Sequence, residues 1–379
     1  MLFKKNLLFA GLLSICALPL LALINSGTLS VSDLGLVTDA GSIFDRSFNQ
    51  SAWEGILKVK PNSSESLDAI QPIRHNPSDL VNAYSVHAAG KKKYVVAPGF
   101  YHAAGIRDWN AEGYVDELNF ILLDGEVKSK NVASVIFETA AAGFLAGFLT
   151  SWYLNARKAL GEKGYEEPKI GMWGGGDFPG VTDFMVGIVY GVKEFNLQNS
   201  DKKIKFVEFA TDSQYTDSGF ESGKGTDKAQ FLLREGAQAL FPVSGPQVSD
   251  AITEIEKTSL HNQKVIGVDS DGTIKFPNQK QYFITSILKG LTDSIAGIYK
   301  KISDGKGPEY FKGLGETTVG TIANKLTSVA NNVEDGAWAG IDKRQEYYDK
   351  STTPVMIKLA TDKVKGKTWQ DALQAIKNL

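Results

Sequence analysis

Cysteine is almost absent from this 379-residue chain, which holds one, at position 16. No disulfide framework can therefore form within it, and no thiolate chemistry is available after that point. Histidine is scarce as well. His75, His87, His102 and His261 are scattered, and none has metal-ligand spacing with another His, Cys or acidic cluster. Each is expected at the surface or half-buried. An excess charge of one sign is also missing, with 41 basic against 43 acidic residues, so bulk electrostatics give no reason to expect nucleic acid. No second apolar run long enough to cross a bilayer follows the N-terminal one, and no G-x-S-x-G elbow or internal repeat is found. Two glycine-rich stretches come close to phosphate-binding signatures and miss. Gly219-Phe-Glu-Ser-Gly223-Lys224 is one residue too short, with Gly225 where Ser or Thr should hold magnesium. Gly174-Gly175-Gly176-Asp177 follows a predicted strand without G-x-G-x-x-G spacing. These absences argue against a hydrolase or transferase and leave no metal or cofactor to expect.

The N-terminus is more informative. Lys4 and Lys5 precede a nearly unbroken apolar run from Leu7 to Ile24, read as a signal or anchor segment over residues 1–25. Cys16 lies inside it after Leu13-Ser14-Ile15, which resembles a bacterial lipoprotein cleavage site. Ile15 departs from the small residue usual there, and the following Ala17-Leu-Pro-Leu-Leu departs from a polar tether. The alternative is an uncleaved anchor of about eighteen residues, just long enough to span. Either way the folded body is expected on the outer face of the cytoplasmic membrane.

That body is of ordinary composition, with 42% hydrophobic and 22% charged residues across the chain, and is long enough for two cores. Short apolar runs bounded by Gly, Asp, Asn or Pro are predicted strands at Ile70–Ile73, Tyr94–Ala97, Phe120–Leu123, Val132–Phe137, Ile170–Trp173, Ile204–Phe209, Ala239–Val243, Lys264–Val268 and Tyr282–Ile287. Helical patterns alternate with them, among them Pro77–Ala89, Ala140–Leu160, Val181–Phe195 and Lys289–Ser303. Such alternation predicts an α/β fold of two doubly wound parallel-sheet lobes with a ligand cleft between them. The expected boundaries are 31–128 plus 270–303 for one lobe and 129–268 plus 304–379 for the other. Thr368–Lys377 reads as a helix, and the rest of the C-terminal region as surface elaboration.

The segment Leu34 to Ile56, LGLVTDAGSIFDRSFNQSAWEGI, reads as strand, polar turn and helix, with Asp45 or Ser47 as the cap. It places Asp39, Ser47, Phe48 and Asn49 at the carboxyl end of a strand, where open α/β sheets hold ligands. Polar or aromatic residues close the other strands in the same way: Phe100, Asp124, Phe220, Gly245, Asp269 and Lys289. The string D-x-S-F-N-Q-x-A-W-E-G resembles the opening of the basic membrane protein family, the substrate-binding lipoproteins of nucleoside importers, and the resemblance covers roughly Leu34 to Ser303.

The resemblance implies a type I periplasmic-binding-protein-like fold and no enzymatic activity. The implied partners are a nucleoside, most often a purine nucleoside, an ABC permease and the membrane through a lipid on Cys16. By the same resemblance Phe48 and Phe220 sandwich the base from opposite lobes. Asp269 and Lys289 hold the ribose hydroxyls, Asp124 with Ser47 or Asn49 reads the base edge, and Gly245 lets backbone approach the sugar. Two other readings stay open: a lipoprotein binding a sugar or other small polar ligand, and a surface antigen or adhesin on the same fold.

Overall fold

The computed structural model describes residues 33–306, 317–334 and 336–379; the apolar N-terminal segment and Cys16 lie outside the described residues. Twelve strands are present among them: β1 (Leu34–Val37), β2 (Ala69–Ile70), β3 (Tyr94–Pro98), β4 (Asn119–Leu123), β5 (Val132–Phe137), β6 (Lys169–Gly174), β7 (Lys205–Phe206), β8 (Ala239–Val243), β9 (Lys264–Asp269), β10 (Phe283–Lys289), β11 (Thr317–Gly320) and β12 (Thr327–Val329). They form two six-stranded sheets, ordered β11-β5-β4-β3-β1-β2 and β12-β10-β9-β8-β6-β7. Every pairing is parallel except that of β12 with β10. In both sheets the order reverses beside the first strand, the switch point at which doubly wound sheets open a crevice at their carboxyl ends.

Alternation explains why the strands read as unbroken apolar runs. In the first sheet Leu34, Leu36, Val96, Ile121 and Leu123 face one buried cluster, with the helices Phe48–Val59 and Leu291–Lys301. Val37, Val95, Ala97, Phe120 and Leu122 face another, under the helices Pro77–Ala89 and His102–Ala111. Both faces are covered, so neither can be polar. In the second lobe the helices Thr139–Ala159 and Pro179–Gln198 cross at very short range. A Cβ at Gly187 would lie 2.2 Å from the Ala140 carbonyl oxygen, and one at Gly191 2.1 Å from that of Phe144.

The sheets divide the chain differently from the expected boundaries. β5 belongs to the first sheet and β10 to the second, so the chain changes sheets after Phe137, after Lys289 and between β11 and β12. The stretches in which the expected boundaries fall, 125–131 and 267–272, instead join neighbouring strands of one sheet, β4 to β5 and β9 to β10. Gly and Asp thus also mark strand ends after which the chain stays in the same lobe. Lys289 ends β10 rather than beginning a helix, which starts at Leu291. The predicted strands at 70–73 and 204–209 shrink to two residues each at sheet edges, where Ile73 is 93% exposed.

The C-terminal region is more than surface elaboration. β11 and β12 complete the two sheets, and Trp338 is fully buried, its indole donating to the Ile284 carbonyl at 2.8 Å. A helix at Trp369–Ile376 is capped by Thr368 with Asp371, as its sequence predicts. His87 and His102 also differ from expectation. Both are buried, one against the Leu36 carbonyl at 3.0 Å and the other against the Tyr84 hydroxyl at 2.7 Å. No group of His, Cys, Asp or Glu among the described residues could hold a metal ion.

Candidate functional site

The carboxyl ends of β1, β3, β4, β6, β8, β9 and β10 converge on one cavity between the lobes. Asp39, Phe48, Asn49, Asp124, Phe220, Gly245, Asp269 and Lys289 all line it. Ser47 stands one step behind. Its hydroxyl donates to Asp269 Oδ2 at 3.2 Å across the cleft, and a Cβ on Gly245 would come within 3.5 Å of it.

Lys289 is the only basic residue in the wall among the described residues. Its ammonium contacts Asp124 Oδ2, lies 3.6 Å from Asp269 Oδ1 and donates to the Gly180 carbonyl at 3.3 Å. It also sits over the rings of Phe48 at 5.4 Å and Phe184 at 4.7 Å. Burial alone would lower its pKa, but the two carboxylates reverse this and raise it. Asp124 and Asp269 close β4 and β9, equivalent positions in the two sheets, and both adopt left-handed backbone, with φ of +56° and +63°. Aspartate tolerates that conformation better than most side chains, and strain of this kind concentrates at functional sites.

Asp45 caps the helix Phe48–Val59, accepting from the backbone N–H groups of Asn49 at 2.9 Å and Gln50 at 3.1 Å. Ser47, the other expected cap, makes no side-chain cap bond. Asn49 is committed to neighbours. Its amide nitrogen donates to Asp39 Oδ1 at 3.2 Å and Asp45 Oδ2 at 3.0 Å, and its oxygen accepts from the Asp39 N–H at 3.3 Å. It therefore positions Asp39, whose other oxygen faces Gly99, where a Cβ would come within 2.0 Å. Burial pushes the Asp39 carboxyl up to about 7, against the pull of Asn49 and the Ala40 N–H and with a further push from Asp45 and Asp124. A raised carboxyl pKa means the folded state binds the extra proton. The stabilisation is complete below about 4 and is lost as pH climbs through about 7. His102, depressed to about 3 by burial, acts in the opposite sense. The difference between proteins is therefore the readout: wild type should lose more melting temperature than Asp39→Asn between pH 5 and 8, in thermal scans. Equal slopes would deny Asp39 its proton.

Beyond the rings expected from the sequence, Phe100 among them, the cavity holds two more, Phe178 and Phe184. Phe184 is in a helix interior and carries no signal apart from ordinary core character. Phe178 follows Gly174-Gly175-Gly176, whose purpose the structure explains. A Cβ at Gly175 would lie 2.5 Å from the Phe220 ring, and one at Gly176 2.5 Å from the Phe178 ring, so the glycines seat two phenyl groups. The other glycine stretch is also accounted for. The N–H groups of Gly223 and Gly225 point at the Asp250 carboxylate, at 2.9 and 3.0 Å, and so are not free for phosphate.

A family model described as ABC transporter substrate-binding protein PnrA-like, the Bmp family, matches residues 33–337. The ABC transporter nucleoside-binding protein BmpA of Lactococcus lactis is 27% identical over 88% of this chain and 87% of its own length. An uncharacterized lipoprotein from Mycoplasma pneumoniae is 23% identical over 87% of this chain and 66% of its own length, so the chain spans about two thirds of that relative. Among solved structures, a solute-binding protein of an ABC transporter system from Aeropyrum pernix superposes with a TM-score of 0.63 at 20% identity, over 91% of this chain and 89% of that one. Its two-lobed α/β architecture is the one described above. The family consists of transport proteins rather than enzymes, and its members take a small-molecule ligand to a permease outside the cytoplasm. The chain belongs to the PnrA-like family of ABC transporter substrate-binding proteins.

Proposed function

We propose that this substrate-binding protein takes nucleosides, and purine nucleosides foremost, and that a lipid on Cys16 tethers it at the outer face of the membrane. The observation that carries this reading is one cavity with phenyl rings on opposing lobes beside a carboxylate–ammonium–carboxylate group. Phe48 comes from the first lobe and Phe220 from the second, and both face the space that Asp124, Lys289 and Asp269 border. A flat base between the rings gains dispersion and offset stacking. A ribose diol then meets a carboxylate that accepts and an ammonium that donates. The Lactococcus relative, named as nucleoside-binding, supports the same assignment. A free sugar would use the polar group and leave the ring pair without a flat partner.

Alanine at either ring should weaken purine nucleoside binding by about 1–3 kcal/mol, the range of base-stacking aromatics. Isothermal titration with guanosine and adenosine reads this directly; wild-type affinity in both variants would leave the rings as packing. Cys16→Ser should abolish labelling by a radioactive fatty acid and leave unprocessed or released protein. Undiminished labelling of that variant would remove the tether from Cys16.

A further inference from the structure

Beside the proposed stacking pair, the cavity mouth carries a second set of rings that the two lobes share. Phe100, on the loop after β3, lies stacked on Phe178, on the loop after β6, with centroids 4.9 Å apart and planes 15° from parallel. One ring belongs to each lobe, and both line the cavity. Tyr101 sets its edge against Phe178 at 6.2 Å and Phe220 at 6.5 Å, with interplanar angles of 68° and 85°. Phe178 is in turn 6.0 Å from Phe220. The cluster thus runs from the mouth to the wall ring without a break, two residues from each lobe.

The position of Phe178 is built into the backbone. Its ring lies between Gly176 and Gly180, where added Cβ atoms would stand 2.5 Å from Cε1 and 3.2 Å from Cε2. Pro179 then begins the helix and fixes the backbone next to the ring. Phe100 has no comparable burial of its own. It remains 47% exposed even with Phe178 stacked against it. Separating the lobes would break the contacts of Phe100 and Tyr101 with Phe178, and that of Tyr101 with Phe220. The Phe178–Phe220 contact, inside one lobe, would survive.

We propose that Phe100 and Phe178 form an aromatic gate across the cleft mouth, with Phe178 the residue that sets how long a bound ligand is retained. The inference rests on the nucleoside reading only for the identity of the ligand. A ligand held between the lobes leaves after they part, so the stack must break on the way out. On the way in it forms after encounter, which leaves the association rate nearly untouched and places the effect in dissociation. The gate rings need not touch the ligand at all.

The test uses the full chain in detergent and two readouts. Stopped-flow dissociation of guanosine is compared for wild type, Phe100→Ala, Phe178→Ala and the double variant. Each single substitution should speed dissociation by about three- to tenfold, as expected for one aromatic pair. The double variant should go little beyond the larger single effect, and association should change less than about twofold. Independent of any ligand, spin labels at Glu117→Cys and Glu235→Cys in a Cys16→Ser background report the distance between lobes. Phe178→Ala should broaden that distribution toward larger separations. Unchanged dissociation in both single variants, or fully additive effects, would overturn the gate. If guanosine does not bind, the nucleoside assignment fails, and the label distances alone decide: broadening upholds the gate and an unaltered distribution removes it.

Discussion

Lys289→Met should weaken nucleoside binding by about 2–5 kcal/mol, the cost of removing one member of a buried, hydrogen-bonded charge pair, or roughly thirtyfold to several-thousandfold in Kd. The ammonium stands between Asp124 of the first lobe and Asp269 of the second, and its side chain is 3% exposed. Without it two buried carboxylates face each other with no cation among the cavity residues to separate them. Each lobe keeps its core, so the damage should fall on apposition of the lobes before it falls on folding. Burial already raises the Asp124 carboxyl, with Lys289 opposing that rise and Asp269 adding to it. Taking Lys289 away lets the rise grow, so the variant should regain affinity at acid pH relative to neutral pH, as protonation relieves the repulsion. Wild type should show no such recovery from this group. Titration calorimetry at acid and at neutral pH measures both effects. A Lys289→Met protein that binds at wild-type strength, with the same pH profile, would mean the ammonium is only a structural counter-ion.

Asp269→Asn should remove the preference for a ribose. Asparagine is the informative substitution because position 269 has φ of +63°, which Asn tolerates and Ala resists. In wild type a 2′,3′-dideoxynucleoside should bind at least about a hundredfold more weakly than its parent, since a buried acceptor is left without its hydroxyl. In Asp269→Asn the parent should lose most of that advantage, leaving the affinity of the stacked base. Ser47 donates to Asp269 at 3.2 Å, and an amide oxygen can still accept that bond, so this contact across the cleft survives the substitution. Competition binding with the nucleoside, its dideoxy analogue and the free base gives the ratios. An undiminished preference in the variant would place the sugar elsewhere.

Strand ends were the legible part of this molecule. Buried parallel strands are continuous apolar runs that stop at a polar residue, so Asp39, Asp124 and Asp269 could be placed at the cleft from sequence alone. What could not be read was which strand belongs to which sheet. β5 and β10 carry nothing in their own residues that says the chain crosses after them, because lobe membership is set by pairing across long sequence distances. Residue roles that depend on neighbours were equally hidden. Asn49 faces the cavity as expected, yet its amide is consumed by Asp39 and Asp45. The run Gly174–Gly176 misses a nucleotide-binding spacing, and its use shows only in the structure, where it seats two phenyl rings that lie after it in sequence. Edge strands faded too: β2 and β7 are two residues each, and of the four only Phe206 is buried.

The central claim is that the cavity between the lobes is a nucleoside site, and one measurement addresses it most directly: isothermal titration of the full chain in detergent with guanosine, adenosine, guanine and ribose in parallel. The account predicts saturable, one-to-one binding of at least one purine nucleoside, with weaker binding of its free base and no measurable binding of ribose. Tighter binding of ribose than of either nucleoside, or no heat with any of the four from a protein that melts cooperatively, would contradict it.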